Sequence, residues 1–361
     1  MHALINDIRV GLSRLAFPSW GGKGSGRELG DGYTVLLPVP ADLPVFARLA
    51  LEILSRQDLS GLKEVIVIPD WPCGEFKKYL ETILPSTPDL PVRVVDIFPR
   101  DKLAWALTKS ISTRHFCQLI RGVEATKTRH ALIHDADLFL PAGSFLSEQY
   151  ATCQRRDLDV YGLDIRRSQV RSDREVFVAT WEMTFAVSWF RSFPPYMHKG
   201  HVRNINGRRQ EFDTTLLPQY LTPKERIDWQ DRGGEYVHFG YVVASYRNFL
   251  NGKKHHPGLA LKLFLIRVLI DVFEDSTWRY KGLPTHEEFC SRHGLVAGLV
   301  KELREGSRAH PLICEFRDKI DAIARMSILG PVRSVQIKAR SDEFLRSFCS
   351  EAELSELGQN S

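Results

Sequence analysis

His130-Ala131-Leu132-Ile133-His134-Asp135-Ala136-Asp137-Leu138-Phe139-Leu140-Pro141 is the stretch on which the reading of this chain turns. An apolar run climbs to two carboxylates one residue apart, becomes apolar again and stops at a proline. It is too short for a helix and reads as a buried strand. Strand alternation would put Asp135 and Asp137 on one side and Ala136 on the other. Neighbouring carboxylates repel and are costly to desolvate unless positive charge lies between them. A divalent cation such as Mg2+ or Mn2+ meets that need and leaves room for phosphate oxygens. Asp-x-Asp in a solvated turn carries no such meaning, and the apolar walls on both sides argue against a solvated turn. His134, on the face opposite Asp135, reads as a packed or hydrogen-bonded histidine.

Outward from this stretch the chain alternates strands and helices. Thr34–Val39 and Glu64–Asp70 read as strands, with a helix over about 43–55 between them. A helix follows over 76–84, then a strand over Val92–Phe98 and a largely helical span over 102–128. This rhythm predicts a parallel sheet with helices on both faces. In such sheets ligands gather beyond the carboxyl ends of the strands. Pro38, Asp70 and the Asp135/Asp137 pair all fall at such ends. Asp70 is a candidate acceptor for base or ribose donors, with an exposed loop acid as the equal alternative. Lys102 offers charge to a diphosphate, and Asp101 is placed to cap the helix that begins there. Arg114 and Arg121 are expected on a solvated helix face.

After Pro141, Phe145–Arg156 reads as a helix and Asp159–Ile165 as a strand. Glu175–Trp181 and Met183–Phe190 suggest two more strands, in an antiparallel sense. Residues 194–210 are rich in aromatic and basic side chains and read as a long loop, suited to a carbohydrate or phosphate ligand. Asp213 is placed to cap a short helix. His238 lies in an apolar, glycine-flanked setting, as a third ligand beside the aspartate pair or as a structural histidine. Leu259–Phe273 reads as an amphipathic helix that packs on the main domain. A membrane-surface or dimer role is the alternative for that helix.

The 361 residues suffice for one large α/β domain with a helical appendage, and the expected division is 1–30, 31–255 and 256–361. The first segment contains the glycine-rich run Gly21–Arg27, which lacks a P-loop ending and reads as a linker. A net charge of +5 is too small to argue for nucleic acid and suits an anionic substrate. Among six cysteines none has Cys-x-x-Cys spacing, so no zinc site is expected and a reducing compartment fits. No apolar signal core or transmembrane-length run is present, which points to a cytoplasmic protein.

On the strands Thr34–Val39 and Glu64–Asp70, the Asp135-Ala136-Asp137 triplet and Val237-His238-Phe239-Gly240, the chain resembles glycosyltransferases of the GT-A fold over residues 33–250. The resemblance implies a Rossmann-like α/β fold: a mixed, mostly parallel sheet flanked by helices, with a C-terminal helical region. It implies transfer of a hexosyl or pentosyl group from a UDP- or GDP-sugar to an acceptor hydroxyl of a carbohydrate or small molecule. Asp135, Asp137 and His238 would hold Mn2+ or Mg2+, and Pro38, Asp70, Lys102 and Asp135 would meet the donor. Asp213, or else Glu182, would serve as base in an inverting reaction, and the 194–210 loop would close over the donor. A nucleotide-sugar mutase, a nucleotidyltransferase and a non-catalytic nucleotide-sugar-binding protein are the competing readings. A nucleotidyltransferase would carry a glycine-rich basic signature where Pro38–Asp42 stands.

Overall fold

The computed structural model describes residues 28–71, 74–108, 111–164, 177–205, 207–252, 258–275, 277–291 and 309–348, with residues 11, 14, 15, 17, 19, 20 and 298. The glycine-rich run Gly21–Arg27 and the C-terminal tail lie outside these residues. In chain order the elements begin with β1 (Gly30–Val39), α1 (Val45–Leu54), β2 (Leu62–Pro69), α2 (Gly74–Ile83) and β3 (Val92–Val94). Next come α3 (Pro99–Thr108), α4 (Ile111–Ala125), β4 (Thr128–His134), β5 (Leu138–Phe139) and α5 (Phe145–Arg155). Then follow β6 (Val160–Asp164), β7 (Val178–Ala186), α6 (Val187–Ser192), β8 (His201–Ile205), β9 (Arg208–Phe212), α7 (Leu216–Leu221) and β10 (Ile227–Gln230). The last are β11 (Val237–His238), α8 (Val242–Leu250), α9 (Leu259–Val272), α10 (His286–Ser291), α11 (Ala309–Arg325) and α12 (Pro331–Phe348).

These elements fall into two compact units. The first comprises Met1–Ala41, Leu54–Ala136 and Gly143–Gly233. It contains a seven-stranded sheet in the order β10-β6-β7-β4-β1-β2-β3. β7 runs antiparallel to both its neighbours, β4 and β6, while every other pairing in the sheet is parallel. This is the mixed, mostly parallel, helix-flanked sheet that the sequence predicts.

The central strands are apolar on both faces because both faces are covered. On one face Leu36, Ile66, Ile68, Ala131, Ile133, Met183 and Phe185 meet Phe116, Leu119, Ile120 and Val123 of α4. Gly122 lets that helix lie close: a Cβ there would stand 2.6 Å from Ile68 Cδ1. The other face carries a buried polar pair. His134 and Glu182 are directly opposite in the β4/β7 ladder, and His134 Nδ1 lies 2.8 Å from Glu182 Oε2. Both side chains are fully buried. Gly162 is required at the β6/β7 step, where a Cβ would be 2.4 Å from the Glu182 carbonyl oxygen.

Several sequence expectations need correction. The strand expected to carry the aspartate pair ends at His134, and Asp135–Asp137 form the turn beyond it, so strand alternation does not set their orientation. The third strand ends at Val94 because Phe98 is committed to the start of α3. Its N–H donates to Asp101 Oδ2 at 2.7 Å, and its carbonyl accepts the Asp101 N–H at 3.0 Å. The first bond is the N3-carboxylate half of a capping box, and the second is a backbone turn that closes the first residues of the helix. Arg121 is buried rather than solvated: Nε and Nη2 each donate to Asp101 at 2.7 Å, and Glu124 takes a further bond. Of the two strands expected over Glu175–Phe190, Glu175 and Val176 lie outside the described residues, and Val178–Phe190 is one strand followed by helix α6.

The expected long loop over 194–210 is a 3-10 turn, Pro195–His198, and the β8/β9 hairpin. His198 anchors it. The imidazole stacks on Phe190 with centroids 3.6 Å apart, and its Nε2–H donates to the Phe190 carbonyl at 2.9 Å. Asp213 is not the cap of α7. That helix starts after Thr215, which has φ 65°, while Asp213 Oδ1 accepts the Thr214 N–H.

The second unit comprises Asp42–Ile53, Asp137–Ala142 and Gly234–Ser361. β5 and β11 pair antiparallel in it, with His238 opposite Leu138 and Val237 opposite Phe139. α9 is buried on nearly every side apart from Lys262, Arg267 and Asp271. Phe264 stacks on Phe344 at 3.9 Å and meets Phe289 edge-on at 5.4 Å. The apolar surface of this helix is thus used inside its own unit, as an all-round hydrophobic helix requires. Among the described residues no helix is long and apolar enough to cross a membrane.

Burial pushes the His198 imidazole down to about 3, against the opposing pull of its bond to Phe190. The unfolded chain takes up this proton near the ordinary 6.5, whereas the folded chain does not until about 3. The contribution of the neutral ring is therefore full above pH 6.5 and is lost progressively as pH falls towards 3, to at most about 4–5 kcal/mol. The His198 ring resonances should stay fixed from pH 8 to 4.5 in an NMR titration. His198→Phe should lower the melting temperature at pH 7.5 yet flatten its decline towards pH 5. A ring that titrates near 6.5 would contradict the assignment.

Candidate functional site

In the first unit, polar side chains collect where the parallel strands end. Asp70 follows β2 and is 4% exposed. Its Oδ1 accepts the Ala41 N–H at 3.0 Å, and its Oδ2 accepts Arg114 Nη1 at 3.2 Å. Gln118, one turn further along α4, donates through Nε2 to the carbonyls of Val39 at 3.0 Å and Ile68 at 2.5 Å. The open ends of β1 and β2 are thereby joined by one side chain. Pro38, buried in β1, lies opposite Ile68 in that register. His115 Nε2 lies 3.5 Å from Asp135 Oδ1, and the Asp135 N–H donates to the Trp181 carbonyl at 2.9 Å.

Aromatic and cationic groups layer beside these acids. The Arg114 guanidinium lies 3.8 Å from the centroid of the Trp105 ring. Trp105 meets the half-exposed Trp71 edge-on at 5.1 Å, and Lys102 Nζ lies 5.1 Å over Trp71. Such a surface presents a π-face and charge-assisted donors together, a combination that suits a nucleoside and its phosphates.

In the second unit, Asp137 and His238 form a pair. The β5/β11 ladder puts His238 opposite Leu138, one residue from Asp137, and Phe239 packs on Phe139 at 5.7 Å. His238 Nε2 thereby lies 3.4 Å from Asp137 Oδ1. Asp137 is 9% exposed. Burial works to raise its carboxyl, but the His238 imidazole, its hydrogen bond and Lys262 outweigh this and hold the carboxyl below the usual range. Lys262 is lowered by burial first and by Lys319 next, while Asp137 pulls it back. Its Nζ donates to the Gly240 carbonyl at 2.8 Å and lies 5.3 Å from the ring centroid of Tyr241. Tyr241 is 78% exposed, with φ 57°, a left-handed conformation uncommon for a bulky residue and often found at ligand sites.

The structure gathers Pro38, Asp70 and Asp135 at the carboxyl ends of the strands, with Lys102 on the adjoining aromatic surface. It brings Asp137 to His238. Glu182 is sealed on His134, and Asp213 is exposed and bonded to its neighbour's N–H. Sequence reasoning missed Trp71, Trp105, His115, Lys262 and Tyr241 and assigned Arg114 to solvent. A signal existed for α4: Arg114, Gln118 and Arg121 recur at i, i+4 and i+7, a polar stripe along one face.

The chain is similar to solved glycosyltransferase structures. The mannosyltransferase PcManGT from Pyrobaculum calidifontis, in complex with GDP-Man and Mn2+, is 13% identical over 95% of this chain and 97% of its own, with a TM-score of 0.38. S. aureus TarS 1–349, in complex with UDP-GlcNAc, is 13% identical over 90% of this chain and 92% of its own, with a TM-score of 0.37. An active-site mutant of LgtC is 12% identical over 62% and 79%, with a TM-score of 0.41. No family model matches the chain, and no curated protein matches it in sequence. Likeness this distant leaves the chemistry to be read from this chain's own residues.

Asp70 holds the rim of the first unit through two donors. Asp70→Ala would remove the carboxylate acceptor from a mostly buried guanidinium and a buried N–H, at a cost of about 3 kcal/mol or more. Asp70→Asn keeps an acceptor for Ala41 and should lose about half as much. Urea denaturation of the two variants checks the order, and equal losses would contradict it by showing that the neutral acceptor recovers nothing and the charge carries the whole effect.

Proposed function

We propose that the protein is a metal-dependent glycosyltransferase that moves a sugar from a nucleoside-diphosphate sugar, with UDP or GDP as the nucleotide, to an acceptor hydroxyl. The observation that carries this reading is Asp137: a carboxylate almost out of water, kept ionised by a histidine at 3.4 Å and a half-buried lysine. Nothing in a packing role calls for such a group.

The donor set fits a divalent ion. A carboxylate oxygen and an imidazole nitrogen suit Mn2+ or Mg2+, and adjacent ligands about 2.1 Å from one ion lie about 3 Å apart, close to the pair seen here. Chain connectivity keeps Asp135 within two residues of Asp137, so Asp135 is assigned as a further ligand. When bound, the ion supplies positive charge against a departing diphosphate. Lys262, already lowered by its surroundings, adds an ammonium donor for phosphate oxygens. In the first unit, Trp71 offers a stacking face to a base, and Lys102 and Arg114 offer charge. Asp70 is already engaged by Ala41 and Arg114, so its assigned part is to fix that rim for the donor.

For the acceptor, a base must reach a hydroxyl. Of the two acids suggested by the sequence, Asp213 is exposed and Glu182 is held on His134, so Asp213 is the one retained for an inverting reaction.

Thermal-shift measurements with UDP or GDP, each with and without Mn2+, test the proposal. The expected result is stabilisation by one nucleotide that requires the metal. Asp137→Asn keeps the side-chain shape, should remove that metal requirement, and should lower sugar transfer about 100-fold or more. Undiminished Mn2+-dependent nucleotide binding in Asp137→Asn would overturn the metal assignment. Nucleotide binding and donor breakdown without any acceptor product would overturn the transferase reading.

A further inference from the structure

His286, Cys290 and Glu343 lie together in the second unit, and none of them is assigned to the donor. His286 and Cys290 are four residues apart in α10, so their side chains share one face. Glu343 projects from α12. His286 Nε2 lies 2.9 Å from Glu343 Oε2 and 3.6 Å from Cys290 Sγ. The three ligating atoms are all within 4.8 Å of one another.

We propose that these three side chains form a binding site for a borderline-soft divalent metal, with Zn2+ the best match. The spacing supports it. Ligands at about 2.0–2.1 Å for nitrogen and 2.3 Å for sulfur, arranged tetrahedrally, lie about 3.5 Å apart, which is the separation seen between Sγ and Nε2. The donor types support it too. Thiolate sulfur beside imidazole nitrogen favours Zn2+ over Mg2+, Ca2+ or Mn2+, which prefer oxygen.

The scaffold holds these groups firmly. His286 is 8% exposed and packs on Phe264, with centroids 5.7 Å apart. On the same short helix, Phe289 is fully buried and meets both Phe264 and Phe344. Both ligand-bearing helices are thus fixed to one aromatic cluster, so few degrees of freedom remain to be lost on binding. Glu343 is the exposed member, with its side chain 58% accessible, and it leaves an entry path and room for water as a fourth ligand. Three protein ligands and one open position make a recognised zinc arrangement. The bound ion would tie α10 to α12, so its chief effect is on stability. The sequence expectation of no zinc site considered cysteine pairs only, and His-x-x-x-Cys with a distant carboxylate escapes that test.

Cobalt(II) tests the site, because a thiolate ligand gives a charge-transfer band in the near ultraviolet that oxygen and nitrogen ligands do not. Chelator-treated full-length protein titrated with Co2+ should develop this band, saturating at one equivalent, together with the intense visible bands of four-coordinate cobalt. Added Zn2+ should abolish both and raise the melting temperature. Cys290→Ser should remove the near-ultraviolet band. Cys314→Ser, which alters the His310/Cys314 pair of α11, should leave it intact. Because Cys290 is partly buried, Glu343→Gln at the exposed position gives a second test and should weaken Co2+ binding at least tenfold with unchanged circular dichroism. Absence of the band in the wild-type protein, or its persistence in Cys290→Ser, would overturn the proposal. So would unaltered Co2+ affinity in Glu343→Gln. An Asp137→Asn background should leave the band unchanged, which separates this site from the one proposed for the donor.

Discussion

Keeping negative charge ionised where water is nearly absent is the constraint on which the rest depends. Asp70 and Asp137 are each more than nine-tenths buried, and removing a lone carboxylate from water costs several kcal/mol. The chain answers differently in the two units. Asp70 receives a backbone N–H and a guanidinium, both fixed, and its charge is used up in holding a strand end. Asp137 receives an imidazole and the field of a lysine that is itself lowered by burial. Imidazole can yield its place or share it with an incoming ion, whereas guanidinium cannot. The difference between the partners separates a structural acid from one able to serve a ligand.

Helix α4 links the core to the rim. Phe116, Leu119, Ile120 and Val123 press on the sheet, and Gly122 lets the helix lie close. The stripe Arg114–Gln118–Arg121 then meets three different needs. Gln118 satisfies the carbonyls where β1 and β2 end, Arg114 neutralises Asp70, and Arg121 engages Asp101. Asp101 in turn fixes the start of α3, the helix that carries Lys102 and Trp105. The aromatic surface beside the strand ends therefore depends on a buried ion pair one helix away. An apolar replacement of that pair could preserve stability, but it would leave Phe98 without its cap partner and α3 without a fixed start.

Much of the sheet was legible because burial on both faces writes continuous apolar runs into β1, β2 and β4, and the alternation with helices is regular. The strand at 178–186 was only half legible. Its apolar run continues through Val187–Phe190, and periodicity over so few residues cannot distinguish a strand from a helical turn. The 194–210 segment looked like a loop because its polar composition masks a hairpin held by His198, whose stack on Phe190 spans eight residues. Of the candidate site, the acids were visible from their positions at strand ends. Their cations were not, since Arg114 and Lys262 sit on helices whose spacing makes them look solvent-facing until tertiary packing is known. Tyr241 was invisible for another reason: nothing in its local sequence announces a left-handed backbone at a bulky residue.

The two ligand sets proposed for the second unit differ in a way that bears on how the chain would sort metals. Asp137 and His238 offer oxygen and nitrogen, whereas His286, Cys290 and Glu343 add sulfur. By affinity alone, Zn2+ would exceed Mn2+ at both, because the divalent series rises towards copper and zinc. Selectivity must then come from ligand softness and availability. A thiolate site removes Zn2+ in preference to a carboxylate–imidazole pair and leaves the latter to Mn2+ or Mg2+, which are the ions suited to bridging phosphate oxygens. The same helical unit could therefore bind one metal for stability and present another to a substrate, provided that sulfur appears in only one of the two sets.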